Sequence, residues 1–209
     1  LKSIYGVASP LTANLIEEKQ RVRPTSGLEF VSSSHFPDNV QGDMLLGNTI
    51  GFLGIKRHQI QEDGTGYKTK HRQDLMSGSD KNFRPVDLEF APDGSLYVAD
   101  WHNVLIGHMQ HNARDPLRDH AHGRIYRITY PSRPLVTPAK IADVRIDVLL
   151  DNLKLPEYRT RYRTKRELRG RDAEEVASKL KIWVANLTPE DKNFEHQRLE
   201  ALRVSWGLN

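Results

Sequence analysis

The sequence predicts all-β propeller blades followed by an α-helical repeat segment. Three observations carry that reading. Short runs with two-residue apolar alternation recur over residues 28–130, punctuated by Gly-rich turns, as the blades of a propeller do. Asp63-Gly64 and Asp93-Gly94 sit between such runs, where a tight reversal favours a residue that tolerates φ > 0. Beyond residue 154 the apolar positions recur at helical spacing instead, with Gly, Pro and Asp at the breaks.

Residues 1–23 mix short apolar and polar runs, and LTANLIEEKQ fits a turn or two of helix or the rim of a strand. LEFVSS (28–33) alternates as a strand. Residues 44–48 and 51–59 read as two more strands, with Gly47, Gly51 and Gly54 at bends or close approaches. Residues 67–73 return after the Asp63-Gly64 turn. RPVDLEF and LYVADW then pair around Pro92-Asp93-Gly94, with Val86, Leu88 and Phe90 on one face. In GRIYRITY, Tyr126, Ile128 and Tyr130 lie opposite Ile125, Arg127 and Thr129. Two or three blades fit before residue 140, too few to close a propeller. The chain also lacks an initiator Met, so it reads as part of a longer polypeptide.

The expected boundaries are 1–138 for the C-terminal blades, 139–153 for a linker and first helical or extended segment, and 154–209 for the start of the helical repeats. Pro131, Pro134 and Pro138 mark the linker. Pro156 fits the first turn of a helix in which Tyr158, Tyr162 and Leu168 stand beside a dense basic set, and Gly170 ends it. Asp172 is placed to cap the next helix, where Val176, Leu180, Trp183, Val184 and Leu187 recur. A third helix over 194–204 is expected to turn Phe194, Leu199, Leu202 and Trp206 inward. Short helices with tight breaks read as the first units of an array, which buries its edge only against further units.

A length of 209 residues suits one large domain or two small ones. The net charge of +4 resides in residues 154–209, which carry 13 Lys and Arg against 9 Asp and Glu. The signs are interleaved there and no nucleic-acid spacing motif occurs, so nucleic acid is not an expected partner. The absence of cysteine excludes disulfides, thiolate chemistry, cysteine-based zinc sites and covalent haem attachment within these residues. No signal peptide or membrane span is visible in the sequence.

Chemistry concentrates in residues 83–130, where two strands flank a loop holding five of the nine histidines. Long ordered loops on a β scaffold often carry sites. The candidate catalytic residues are His108, His111, Asp100 and His102. His102 and His108 are the general-base candidates because imidazole titrates near neutrality. Arg84, Arg114, Arg118 and Arg124, with Asp87, Trp101 and Asn112, could hold a polyanion or a planar, carboxylate-rich cofactor through bidentate pairs and ring stacking. Asp115, Asp119, His120 and His122 are the candidate metal ligands, and an extended His120-x-His122 would put both rings on one face. The competing reading is structural. Arg114 would pair with Asp115 or Asp119, Arg118 with Asp100 or Asp87, and Trp101 would seal the sheet end. His35, Asp38 and Asn48, near strand ends, are expected at the same end of the sheet.

FRPVDLEFAPDGSLYVADW followed by LIGHMQHNARDPLRDHAHGRIYRITY resembles the large membrane-bound dehydrogenase family of planctomycete type, which is related to the soluble quinoprotein glucose and sorbosone dehydrogenases. SSSHFPDNVQGDMLLGNTIGFLGIKRHQI is similar to the preceding blade of that family, and YRTRYRTKRELRGRDAEEV to the start of its HEAT-like helical region. The resemblance implies a six-bladed propeller and an oxidoreductase that uses pyrroloquinoline quinone (PQQ) and calcium. It also implies a sugar or polyol substrate, electrons passed to a c-type cytochrome domain or partner, and a periplasmic or extracytoplasmic location with membrane association through other parts of the polypeptide. The blade motif of the relatives is matched at Arg84, Pro85, Asp87, Pro92, Asp93, Gly94, Tyr97 and Asp100. Their histidine base belongs to an earlier blade and has no counterpart placed here.

Two further readings stand beside the oxidoreductase. One is a non-catalytic propeller and helical-repeat module that binds glycan or protein. The other is glycan lyase or hydrolase chemistry using His108, His111 and Asp119. Replacing His111 or Arg114 by Ala is expected to weaken ligand binding in a titration while the circular dichroism spectrum stays unchanged. Collapse of the fold would assign the loop a structural role.

Overall fold

The computed structural model describes residues 25–105 and 114–208. The reading of LTANLIEEKQ lies outside them. The chain divides into two compact units, one ending at Pro134 and interrupted only by Pro92–Gly94, the other containing those three residues and Leu135–Asn209.

The first unit holds two antiparallel sheets. One contains β1 (Thr25–Phe30), β2 (Met44–Asn48), β3 (Gly54–Asp63) and β4 (Gly66–His71) in that order, with β5 (Met76–Ser77) also pairing β3. The other is β6 (Pro85–Phe90), β7 (Leu96–Asp100) and β8 (Arg124–Ile128). Among the described residues the sheets are open, and the structure gives antiparallel meanders rather than a closed propeller.

Most strands fall where alternation puts them. β1 lies a few residues earlier than expected, because Val31 leaves the ladder to exchange backbone bonds with Gly42 and Asp43. β3 begins at Gly54 and not at residue 51, since Gly51, at φ 79°, belongs to the turn before it. The β3–β4 reversal places Gly64, at φ 59°, just after Asp63, which pairs with Gly66.

Leu88, Leu96 and Val98 are fully or almost fully buried, with Phe90, Leu45, Ile55, Val31 and Phe36 around them. Burying each such side chain contributes about 1.5–3 kcal/mol before entropy is set against it. As the alternation of GRIYRITY predicts, Tyr126 and Ile128 pack on this core and Ile125 faces out. The two sheets meet through β1 and β6. Ser26 Oγ donates to the Pro85 carbonyl at 2.8 Å. Gly27 holds φ 62°, and a Cβ there would stand 2.8 Å from the Asp87 Cα, so only glycine allows this approach.

The second unit has four helices: α1 (Ile146–Asn152), in the segment left open between helical and extended, then α2 (Tyr158–Arg169), α3 (Ala173–Ala185) and α4 (Phe194–Trp206). Asp172 caps α3 as expected, accepting from the Glu175 N–H at 2.8 Å. Pro156 lies outside α2, which begins after Glu157, and its carbonyl accepts from Arg161. Val176, Leu180 and Trp183 are buried with Leu149, Leu150, Leu153 and Leu168, while Val184 is exposed.

The expected inward face of α4 holds at Phe194, which packs on the core, and is corrected at the other three positions. Leu199, Leu202 and Trp206 face solvent, and Gln197, Glu200, Ala201 and Val204 are buried. The reason is an ionic cluster. Glu200, with no exposed surface, contacts Lys165, accepts from Arg203 at 2.9 Å and lies 3.4 Å from Arg161. Burial pushes its carboxyl upward, but the surrounding cations prevail and hold it below the ordinary value.

One buried group in the first unit carries a pH signature. His58, on β3, has no exposed surface, and neither ring nitrogen has a hydrogen-bond partner. Its ring lies 5.2 Å from that of His71. Burial, then His71 and Lys56, lower its pKa from 6.5 to about 4, against a smaller opposing effect of Asp74. The unfolded chain therefore binds a proton that the folded chain refuses, and stability falls as pH drops from about 6.5 through about 4. Across that window the loss is on the order of 3 kcal/mol. Urea midpoints measured against pH should show this acid limb in the native chain and a shallower one in His58→Leu.

Candidate functional site

The end of β7 and the segment before β8 form the candidate site. β7 delivers Asp100 at its last position, opposite Arg124 at the start of β8. The Asp100 carboxylate has no exposed side-chain surface. One of its oxygens accepts from the Arg84 N–H at 2.7 Å and the His102 N–H at 2.8 Å, and the other from Arg124 Nε at 2.8 Å. Arg124 also donates to Asp80 at 2.8 Å. Asp100 thus fixes the exit of β7 through both of its oxygens.

Arg84 is buried and turned inward. Its Nε donates to the Asn103 carbonyl at 2.9 Å, and its terminal nitrogens to the carbonyls of Thr49 at 2.7 Å and Val104 at 3.3 Å. Burial lowers its pKa, while the fields of Asp100 and Asp80 work the other way. A guanidinium committed to three backbone oxygens has no fork left for a cofactor. Arg84 is therefore a framework residue of the site, and Arg124 is bonded to Asp100 and Asp80 while its second terminal nitrogen, Nη2, is buried without a hydrogen-bond partner.

That framework presents a more exposed group. Trp101 keeps 37% of its surface accessible, with the Arg118 guanidinium over its ring at 4.8 Å. His102 holds φ 54°, a conformation uncommon outside glycine, which re-aims the chain just after β7. Its Nε2 lies 3.8 Å from an Asp119 carboxylate oxygen, and His122 Nδ1 lies 2.9 Å from the same oxygen. Since a carboxylate accepts only, His122 Nδ1 is the donor to Asp119, which leaves Nε2 as the acceptor whenever the ring is neutral. The backbone N–H of Ala121 and the bonds from His122 hold the Asp119 carboxyl below its ordinary value. Asn103 supports the arrangement by donating to the Asp119 carbonyl at 3.0 Å.

The remaining candidates are dispersed. Asp87 is exposed and accepts from the Leu88 N–H. Asp115 accepts from the Leu117 N–H in a local turn, and Arg114 and His120 are exposed. His120 and His122 lie in a bend and the irregular stretch before β8, not on a strand. Among the described residues no group of three or more His, Asp or Glu side chains is placed to hold a metal ion. His108, His111 and Asn112 lie outside the described residues. Asp100 accepts from the Arg84 backbone N–H and from the Arg124 side chain.

His35 and Asp38 are engaged elsewhere, while Asn48 ends β2 beside Thr49, whose carbonyl accepts from Arg84. His35 is buried and bonded at both nitrogens, to the Tyr130 N–H and the Pro134 carbonyl, each at 2.8 Å. Asp38 pairs with Arg133, and Asn48 donates to the Leu46 carbonyl. Sequence reading passed over Asp80 and Thr49, which hold Arg124 and Arg84. Asp80-x-Asn82 was the available signal, a local turn in which the aspartate accepts from the Asn82 N–H.

Residues 2–132 match the family model described as a domain of unknown function, DUF7133. The chain belongs to that family. The match takes in the eight strands of the described residues and the polar loop of this DUF7133 domain. No curated protein and no solved structure matches the chain.

Arg84→Lys retains the charge but cannot reach three carbonyls in one plane. It is expected to destabilise the first unit by about 2 kcal/mol, measured by urea unfolding, and to loosen the segment after β7.

Proposed function

We propose that this chain is part of an extracytoplasmic, quinoprotein-like oxidoreductase that oxidises a sugar or related alcohol and passes the electrons to a cytochrome. In this reading the two sheets are incomplete blades of a six-bladed propeller. The four helices are the opening of a HEAT-like array. The observation that carries the proposal is the partly exposed group of Trp101, His102, Arg118, Asp119 and His122 at the end of β7. An indole face beside charged and imidazole groups suits a polyhydroxylated ring, which offers apolar C–H faces and hydroxyls. The resemblance of residues 83–130 to the dehydrogenase blades supplies the reaction class.

The described residues do not fit a seat for PQQ and calcium. Arg84 and Arg124 are engaged by the framework, and the candidate ligands do not converge. The role assigned to this region is therefore the substrate-facing one. His122 Nε2 accepts a hydrogen bond or proton from a substrate hydroxyl, and Asp119 stabilises the imidazolium that results. Trp101 orients the ring, and Arg118 fixes one side of the indole.

A glycan-binding module without turnover is the second reading, favoured by the engagement of Asp100, Arg84 and Arg124 in purely structural bonds. Calorimetry with a panel of sugars, together with reduction of an artificial electron acceptor in the presence of PQQ and calcium, separates the two. The oxidoreductase reading expects both binding and acceptor reduction, with Asp119→Asn lowering turnover about 100-fold. Binding without reduction under any cofactor condition supports the module. Absence of both overturns the site.

A further inference from the structure

We propose that the cleft between α2 and α4 binds a small planar anion, a ring bearing a phosphate, of which a nucleoside monophosphate is representative. The cleft has a volume of ≈ 510 Å³ and is lined by Tyr158, Lys165, Arg169, Arg203, Trp206 and Gly207. That volume lies within the range of small-molecule sites. Its lining combines two aromatic rings with three cations and no carboxylate.

The charge balance gives the sign of the ligand. Lys165, Arg203 and Arg161 share the buried Glu200, and Glu157 adds its field at Arg161. Counting Arg169, the cations outnumber the carboxylates. Glu200 holds Lys165, whose side chain is 12% exposed, in a fixed position. Among the described residues no carboxylate lies within ion-pair distance of Arg169. Its guanidinium rests on Gly207, where a Cβ would stand 2.6 Å from Nε, so the glycine leaves room for it beside the end of α4. There the helix dipole also favours a cation.

The aromatic walls give the shape. Trp206 is 79% exposed, which leaves its ring face for stacking, while Tyr158, 40% exposed, has the Arg159 and Arg161 guanidinium groups 6.0 and 5.9 Å from its ring centre and forms the edge of the cleft. Ring stacking on exposed aromatics with a guanidinium on phosphate is a recurrent pairing for nucleotide-like ligands. This site belongs to the helical unit and is independent of the residues proposed for sugar oxidation.

The test is a titration of the chain with adenosine monophosphate, followed by tryptophan fluorescence, with adenosine and inorganic phosphate as separate arms. Trp206→Phe identifies the part of the signal that arises in the cleft. The expected result is a saturable quench that is absent from Trp206→Phe, weakens with salt, and is stronger for the monophosphate than for either component. Arg169→Ala is expected to raise the half-saturation concentration about tenfold, with Arg169→Lys intermediate. Arg169 is exposed, so both variants should keep the native helical spectrum. Equal titrations of native chain and Arg169→Ala, equal response to adenosine and its monophosphate, or no saturable change at millimolar ligand overturns the proposal.

Discussion

The grip of Arg84 on three backbone carbonyls is the constraint on which the first unit's candidate site depends. A guanidinium with so little water must have its donors satisfied, and Thr49, Asn103 and Val104 meet that need from two separate loops. The same residue offers its backbone N–H to Asp100, which in turn holds Arg124 and the turn at His102. A single buried cation therefore ties the β2–β3 loop, the start of β6 and the segment after β7. Trp101, His102 and Asp119 are presented from that rigid base.

Glu200 plays the corresponding part in the helical unit. It is a buried anion surrounded by cations, and the helix turns on its axis to satisfy it. The result leaves Leu199, Leu202 and Trp206 in solvent, although their hydrophobicity argues for burial. An unpaired buried carboxylate costs more than a few exposed apolar side chains, so the ionic cluster sets the rotation of α4.

Much of the fold was legible from local pattern. β2, the Gly64 and Gly94 turns, the buried face of Leu88 and Phe90 and the Asp172 cap each follow from spacing that acts within a few residues. The site was legible as a region and less so by role. Asp100, Arg84 and Arg124 carry the residue types of a functional cluster, yet they bond one another and the backbone. Composition cannot separate the two uses, because a charged side chain on a strand end looks the same whether its partner is a ligand or a distant carbonyl. Asp80 and Thr49 lay in segments read as plain connections, and only their partners far along the chain give them a role.

Alternation, turn chemistry and helical spacing were enough to assign the type of most described elements, because each arises from interactions between near neighbours along the chain. Which charges are buried, which face of α4 points inward and which of the loop's polar groups stay open to solvent depended on contacts between remote residues. Desolvation makes those contacts decisive, since each charge withdrawn from water must find a partner wherever the fold supplies one.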